Sequence, residues 1–289
     1  ALQRQTLWPR TEFIVVDSGS DDGTPARAQA AGARVIAIDP ATFDHGLTRD
    51  LAIAAAGCEA VVLMVQDAVP ADDFLLERLT AALGENGVAG AYARQIPRPE
   101  ADLITKRNLA AWPTGRTVRD VRRLTDPAAY AALSPRQKYM FCTFDNVCSA
   151  VRKSVWRDEP FGPSRFGEDI AWAERVLLRG YAIVYEPAAA VIHSHDRPLA
   201  YEYARTYVCH RQLYRQFGLA DTPTLPRALW AWVRATGADM LYIMRAAAPP
   251  TEKLAMLASA PVANAARILG QYRAVRDARA GRPARVGGV

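Results

Sequence analysis

The chain has 289 residues, half of them apolar, which is enough for one large α/β domain with a real core and a smaller appendage. Its formal charge is +6, its pI is near 9.3, and the positive charge is almost all arginine, with lysine only at Lys106, Lys138, Lys153 and Lys253. No apolar run reaches the length of a membrane span and no signal peptide is visible, so a helical span within these residues is excluded; nucleic acid, an acidic membrane surface and a small polyphosphate stay open as partners.

In chain order, Glu12 to Val16 reads as a strand that ends in the polar turn Asp17-Ser18-Gly19-Ser20-Asp21-Asp22-Gly23-Thr24. Pro25 opens an alanine-rich helix to about Ala31, and Arg34 to Ile38 is the next strand, a βαβ unit that argues for a parallel sheet. A helix from about Thr48 to Ala56 and an apolar strand from Ala60 to Val65 follow, then a helix starting near Asp72 or Asp73 and running through Leu83, then a strand from Val88 to Tyr92. Pro97 to Lys138 is irregular and arginine-rich, an insertion or lid with some helix. Tyr139 to Val151 reads as a strand pair or a strand and turn, and Glu168 to Arg179 as a helix closed by Gly180. Tyr181 to Tyr185 and Ala189 to His193 read as two strands. From Pro198 the chain is helical to Phe217, amphipathic helices follow Gly218, and the last ten or so residues are expected to be disordered. A strand arrives almost at once in a chain beginning Ala1-Leu2-Gln3, so some N-terminal sequence, including the first strand of the sheet, is expected to be missing. Cys58, Cys142, Cys148 and Cys209 form no C-x-x-C pair and sit in apolar contexts, which predicts buried free thiols in a reducing cytosol.

Ligands of an open α/β sheet sit beyond the carboxyl ends of its strands, where Asp17 and Asp67 stand on what are expected to be neighbouring strands of one sheet. Each alone is equally a turn former or helix cap. In Phe43-Asp44-His45-Gly46-Leu47-Thr48-Arg49-Asp50, Gly46 would let backbone approach a ligand, the helix N-terminus would favour an anion and Arg49 would pair with phosphate; a plain helix capped by Thr48 fits as well. Glu168-Asp169 lies in the first turn of a helix, either a solvated acidic end or, between Phe166 and Trp172, a site. His193-Ser194-His195-Asp196 puts two imidazoles on one face of a strand, and with a carboxylate such as Asp67 they suit a divalent cation.

The ordered segments VVDSGSDDGT, FDHGLTRDLA, VQDAVP, YARQIPRP, FDNVCSAVRKSVW, FGEDIAWAERVLLRGY and VIHSHDR together resemble family 2 of the inverting glycosyltransferases, and within it bacterial rhamnosyltransferases of polysaccharide assembly. The resemblance covers roughly Glu12 to Phe217. It implies a GT-A fold with a mostly parallel central sheet flanked by helices, a catalytic domain over 1–217, and a C-terminal helical region over 218–289. By matching positions it puts Asp17 on the donor base or ribose, His45, Gly46 and Arg49 by the diphosphate, and Arg94 and Gln95 at the sugar. Asp145 and Asn146 would approach donor or acceptor. Asp169 would be the catalytic base, supported by Glu168 and Trp172. Asp67 and His195, with His193, would hold Mg2+ or Mn2+. The D-x-D motif is reduced to Gln66-Asp67-Ala68, Asp50 stands where asparagine is common, and Asp145 stands where serine is common.

The reading that follows is a metal-assisted, inverting transfer of a sugar from dTDP-L-rhamnose to a hydroxyl of a glycan or lipid-linked acceptor, with a UDP-hexose as the alternative donor. A cytoplasmic location is expected, with the stretch after Gly218, where Trp230, Trp232, Leu241, Tyr242 and Ile243 alternate with Arg227, Arg234 and Arg245, touching the inner face of the cytoplasmic membrane. No nucleic-acid partner is expected, because the basic residues are spread along the chain rather than gathered in a stripe. A dinucleotide-dependent oxidoreductase would want G-x-G-x-x-G after the first strand, where only Gly19 and Gly23 stand amid acids. An inactive donor-binding relative is the remaining rival.

Overall fold

The computed structural model describes residues 1–195 and 197–284. Asp196, part of the histidine segment, and the last five residues of the expected disordered tail lie outside the described residues. The chain forms two compact units, one of Ala1–Ile96, Ala110–Leu133 and Met140–His193, the other of Pro97–Leu109, Ser134–Tyr139 and the chain from Ser194.

The first unit begins with two short 3-10 turns and then a βαβ unit: β1 (Ile14–Asp17), α1 (Thr24–Ala30) and β2 (Arg34–Ala37). Next come α2 (His45–Ala55), β3 (Ala60–Met64), β4 (Val69–Pro70), α3 (Leu75–Gly84) and β5 (Val88–Ile96). After α4 (Leu103–Ala111) follow β6 (Asp120–Arg123), α5 (Pro127–Ala132), α6 (Pro135–Phe141), β7 (Cys148–Arg152), α7 (Lys153–Asp158), α8 (Glu168–Leu178) and β8 (Ala182–Ile192). The main sheet runs β3-β7-β5-β8-β4, with β6 paired to β8. Its centre is apolar on both faces: Leu75, Leu79 and Leu83 of α3 pack on Ala91, Ala93, Ala150, Val184 and Val191. Small residues on the strands let the helix lie close, and each buried leucine contributes about 1.5–3 kcal/mol. On the opposite face, a Cβ at Gly90 would meet Trp172 at 2.9 Å and Phe144 at 3.0 Å, so the aromatic layer requires glycine there.

Five expectations are corrected. The sheet is mixed rather than mostly parallel: β5–β8 and the separate β1–β2 pair are parallel, while β3–β7, β5–β7, β4–β8 and β6–β8 are antiparallel. Asp17 and Asp67 therefore do not end neighbouring strands of one sheet. The two strands expected between Tyr181 and His193 are one strand. Its pairing with β5 jumps from Ala93–Glu186 to Arg94–Ala190, so Pro187 sits in a bulge where a missing N–H costs no ladder bond. The expected strand pair over Tyr139 to Val151 is the end of α6 and β7 alone, because the apolar run Tyr139-Met140-Phe141 has no period long enough to tell helix from strand. Of the four free cysteines, Cys142 and Cys148 are buried, Cys209 is half-buried and Cys58 is exposed.

The second unit is built on α9 (Leu199–Phe217), α10 (Leu225–Arg245) and α11 (Pro250–Arg279). Alpha9 ends at Gly218 with φ 73°, the left-handed closure that glycine permits. Helices α9 and α11 approach so closely at Gly270 that a Cβ there would lie 2.9 Å from the Tyr203 carbonyl oxygen. Two acids are buried among these helices. Asp239 accepts from Asn264 Nδ2 at 2.8 Å and pairs with Arg107, whose guanidinium lies 4.8 Å over the Tyr242 ring. Asp277 accepts from the Tyr207 hydroxyl at 3.3 Å and from Arg282 at 3.4 Å, so the start of the expected tail is tied down. Among the described residues no helix is long and apolar enough to cross a membrane.

Candidate active site

Alpha8 starts at Gly167, whose φ of 75° turns the chain so that Glu168 and Asp169 occupy the first helical turn. The loop before it is held by α2. The Asp44 carboxylate accepts from Gly46 N and Leu47 N at 3.0 Å and from Ser164 N at 2.8 Å. Asp50 accepts from Trp156 Nε1 at 2.6 Å, Phe161 N at 2.9 Å and Gly162 N at 2.8 Å. Asp44, not Thr48, is thus the cap, and it fills the helix N-terminus that was expected to receive an anion. Gly46 likewise serves the protein's own loop, since a Cβ there would sit 1.9 Å from the Gly162 carbonyl oxygen. His45 stands at the start of α2 with its ring edge-on to Phe43 at 4.9 Å.

Three carboxyl groups gather here around one guanidinium. Arg49 pairs with Glu168 Oε1 at 3.1 Å and donates to the His45 carbonyl oxygen at 3.0 Å. Glu168 is buried and also accepts from Asn146 Nδ2 at 3.1 Å; Asn146 Oδ1 in turn accepts from Ser149. Asp145 accepts from Val147 N at 2.8 Å and Gln95 Nε2 at 2.7 Å. Asp169 is half-buried, accepts from Ile170 N at 2.8 Å, and lies at the margin of hydrogen-bond distance from Asn146 N. Loss of water and the charge of Glu168 push the Asp145 carboxyl up to about 6. Loss of water, Glu168 and Asp145 together push Asp169 well above the usual carboxylate range.

Across the sheet, Gln95 Oε1 lies 2.9 Å from His193 Nδ1, and His193 Nε2 lies 3.6 Å from Asp67 Oδ1. The ends of β3, β5 and β8 thereby join Asp67, His193, Gln95 and Asp145 into one chain of contacts. His195 is two residues beyond His193, within about 7 Å along the backbone, in the segment of the second unit that begins at Ser194.

Other expected residues fall elsewhere. Asp17, at the end of β1, accepts from Gly19 N and Ser20 N at 3.0 Å and shapes the turn, and hydrogen bonding from the Ser20 side chain, then from the Ser20 and Gly19 N–H groups, holds its carboxyl below the usual range. Arg94 and Gln95 are consecutive on β5 and project to opposite faces, so they do not line one sugar pocket together; Arg94 Nε is buried without a hydrogen-bond partner among the described residues. Trp172 has no exposed surface and donates to the Glu159 carbonyl oxygen at 2.7 Å, so it supports α8 from beneath and touches no acceptor. Sequence reasoning missed the anchoring by Asp44 and Asp50. An Asp just before a helix was a readable cap signal for the first; nothing local marked the second.

The strand ends thus carry a carboxylate–imidazole pair, beside a helix that presents a half-buried acid. Residues 1–148 match the model of "Glycosyl transferase family 2", and the chain belongs to that family; it is a glycosyltransferase. It is similar to the O-antigen chain rhamnosyltransferase RfbN of Salmonella typhimurium, 26% identical over 232 residues that cover 75% of this chain and 69% of the relative. It is likewise similar to the O-antigen chain rhamnosyltransferase WbaN of Salmonella anatum, 28% identical over 231 residues, with the same coverage of 75% and 69%. Among solved structures, glucosyl-3-phosphoglycerate synthase from Mycobacterium tuberculosis, in complex with Mn2+, UDP-glucose and glycerol 3-phosphate, superposes with a TM-score of 0.50 at 21% identity, covering 77% of this chain and 76% of that one. This likeness shows the GT-A fold.

Proposed function

We propose that the chain transfers L-rhamnose from dTDP-L-rhamnose, with inversion, to a hydroxyl of a glycan or lipid-linked acceptor in cell-surface polysaccharide synthesis. The observation that carries the chemistry is the difference between two adjacent acids: Glu168 is buried and paired with Arg49, whereas Asp169 is half-buried, feels the Arg49 charge only at longer range and is in no ion pair among the described residues. Asp169 is then the base that takes the acceptor proton. With one attacking oxygen and one leaving diphosphate, a single displacement inverts the anomeric centre and needs no covalent nucleophile.

Asp67 and His193 fit a divalent cation, because a carboxylate oxygen and an imidazole nitrogen 3.6 Å apart are near enough for both to reach one ion. His195 is the further ligand of this proposal. When bound, Mn2+ or Mg2+ supplies charge to stabilise the departing diphosphate. The synthase that shows the fold was itself solved with Mn2+ and a sugar nucleotide. Arg49, kept on Glu168, lends its positive charge to the donor side, and Asp17, His45 and Asn146 border the same donor.

The rhamnose assignment rests on the two O-antigen chain relatives. It is tested by titrating dTDP-rhamnose, UDP-glucose, UDP-galactose and GDP-mannose against the protein. Tighter binding and faster turnover with dTDP-rhamnose are expected; preference for any other donor overturns the sugar while leaving the transferase intact. EDTA should weaken donor binding, and Asp67→Ala should lose the metal dependence. If neither changes donor affinity or turnover, the cation has no part in the reaction.

A further inference from the structure

The cation reading needs His193 to present an unprotonated Nε2 to Asp67. One neighbouring side chain decides this. Gln95 is 8% exposed at the end of β5, and both ends of its amide are engaged. The Val147 N–H donates to Asp145 Oδ1 at 2.8 Å and fixes that carboxylate; Gln95 Nε2 donates to Asp145 Oδ2 at 2.7 Å and fixes the amide. The amide oxygen is left facing His193 Nδ1 at 2.9 Å. An amide oxygen only accepts, so the proton of a neutral imidazole is drawn to Nδ1, and the lone pair falls on Nε2. That nitrogen faces Asp67 Oδ1 at 3.6 Å. In many metal sites a ligand histidine gives its other N–H to a carboxylate. Here an amide stands between the two, and the carboxylate at its far end belongs to the cluster that contains Asp169.

We propose that Gln95 is a positioning residue that holds His193 in the Nδ1–H tautomer, so that His193 Nε2 and the Asp67 carboxylate converge on one divalent cation. This rests on the cation reading above. It gives Gln95 a role beside the sugar contact expected for it, with one amide N–H on Asp145 and the amide oxygen on His193.

The test uses the full chain with Mn2+ alone, followed by electron paramagnetic resonance, and the ring nitrogens of His193 read by 15N NMR without metal. In the wild type Nδ1 should carry the proton. Gln95→Leu should give a mixture of tautomers and weaken Mn2+ binding by about 10- to 100-fold, with circular dichroism confirming that the variant is folded. Gln95→Glu keeps an acceptor for Nδ1–H and should bind Mn2+ more tightly than Gln95→Leu. A wild-type proton on Nε2, or Mn2+ binding unchanged in a folded Gln95→Leu, overturns the role of Gln95 alone. Mn2+ binding unchanged in both Asp67→Ala and His193→Ala overturns the cation reading and this inference with it.

Discussion

Asp169 and Glu168 are neighbours in one helical turn, yet their surroundings give them different chemistry. Arg49 and Asn146 hold Glu168 as a buried carboxylate, while Asp169 is left close to two other acids with a raised carboxyl. A base acts in the transition state, so Asp169→Asn should lower turnover by about 10²- to 10⁴-fold and change donor affinity only a few fold. Unchanged turnover removes Asp169 from the mechanism. The pH dependence has a definite sign. A base must be unprotonated, so activity should fall as pH drops through the raised value, with its ascending limb above the range of an ordinary aspartate. Stability runs the other way: a carboxyl raised on folding favours the native state at low pH, and that contribution is lost as pH rises through the folded value. Denaturant midpoints of wild type and Asp169→Asn should therefore diverge in the variant's favour as pH rises. A constant difference across pH 4 to about 8 would show that Asp169 is not raised.

At the scale of elements, α2 acts less as a ligand helix than as a bracket for the loop that delivers α8. Asp44 and Asp50 take four N–H groups from Trp156, Phe161, Gly162 and Ser164. Gly46 lets the two backbones touch. Gly46→Ala puts a methyl 1.9 Å from a carbonyl oxygen that belongs to backbone and cannot swing aside. The expected result is a loss of about 1–3 kcal/mol in denaturant unfolding, together with reduced turnover because the loop carrying Asp169 shifts. Wild-type stability in Gly46→Ala would show that the loop gives way freely and that α2 does not position it.

At the scale of the whole molecule, α10 offers the surface for the proposed membrane contact. Trp230, Val233, Leu241 and Met244 are exposed, as are Arg227, Arg234 and Arg245. Two residues expected on that surface are not there: Ile243 has no exposed area, and Trp232 donates to the Pro261 carbonyl oxygen at 2.8 Å. The proposal therefore narrows to Trp230, Val233, Leu241 and Met244 as the apolar contacts. The protein should float with anionic liposomes and not with neutral ones, and Trp230→Ser with Met244→Ser should reduce flotation. A wild-type protein that stays at the bottom with anionic liposomes defeats the idea.

The sequence by itself determined the order of elements and the family. Its strands end in acids and its motifs fall in sequence, and such local signals survive without knowledge of contacts. It also marked the Glu168-Asp169 pair as a candidate, because an acid pair between Phe166 and Trp172 is unusual at a solvated helix end, and the resemblance singled out Asp169. It could not say that Glu168 is spent on Arg49, that Gly46 answers Gly162, or that Gln95 faces Asp145 and His193 while Arg94 turns away. Those partners lie tens of residues apart, and only the pairing of β5 with β7 and β8 brings them together. Nor could it fix strand direction, since a buried apolar strand reads the same parallel or antiparallel. Pro187 falls between the two strands expected over Tyr181 to Tyr185 and Ala189 to His193, and only the ladder, which bulges at that residue, decided that one strand runs through it.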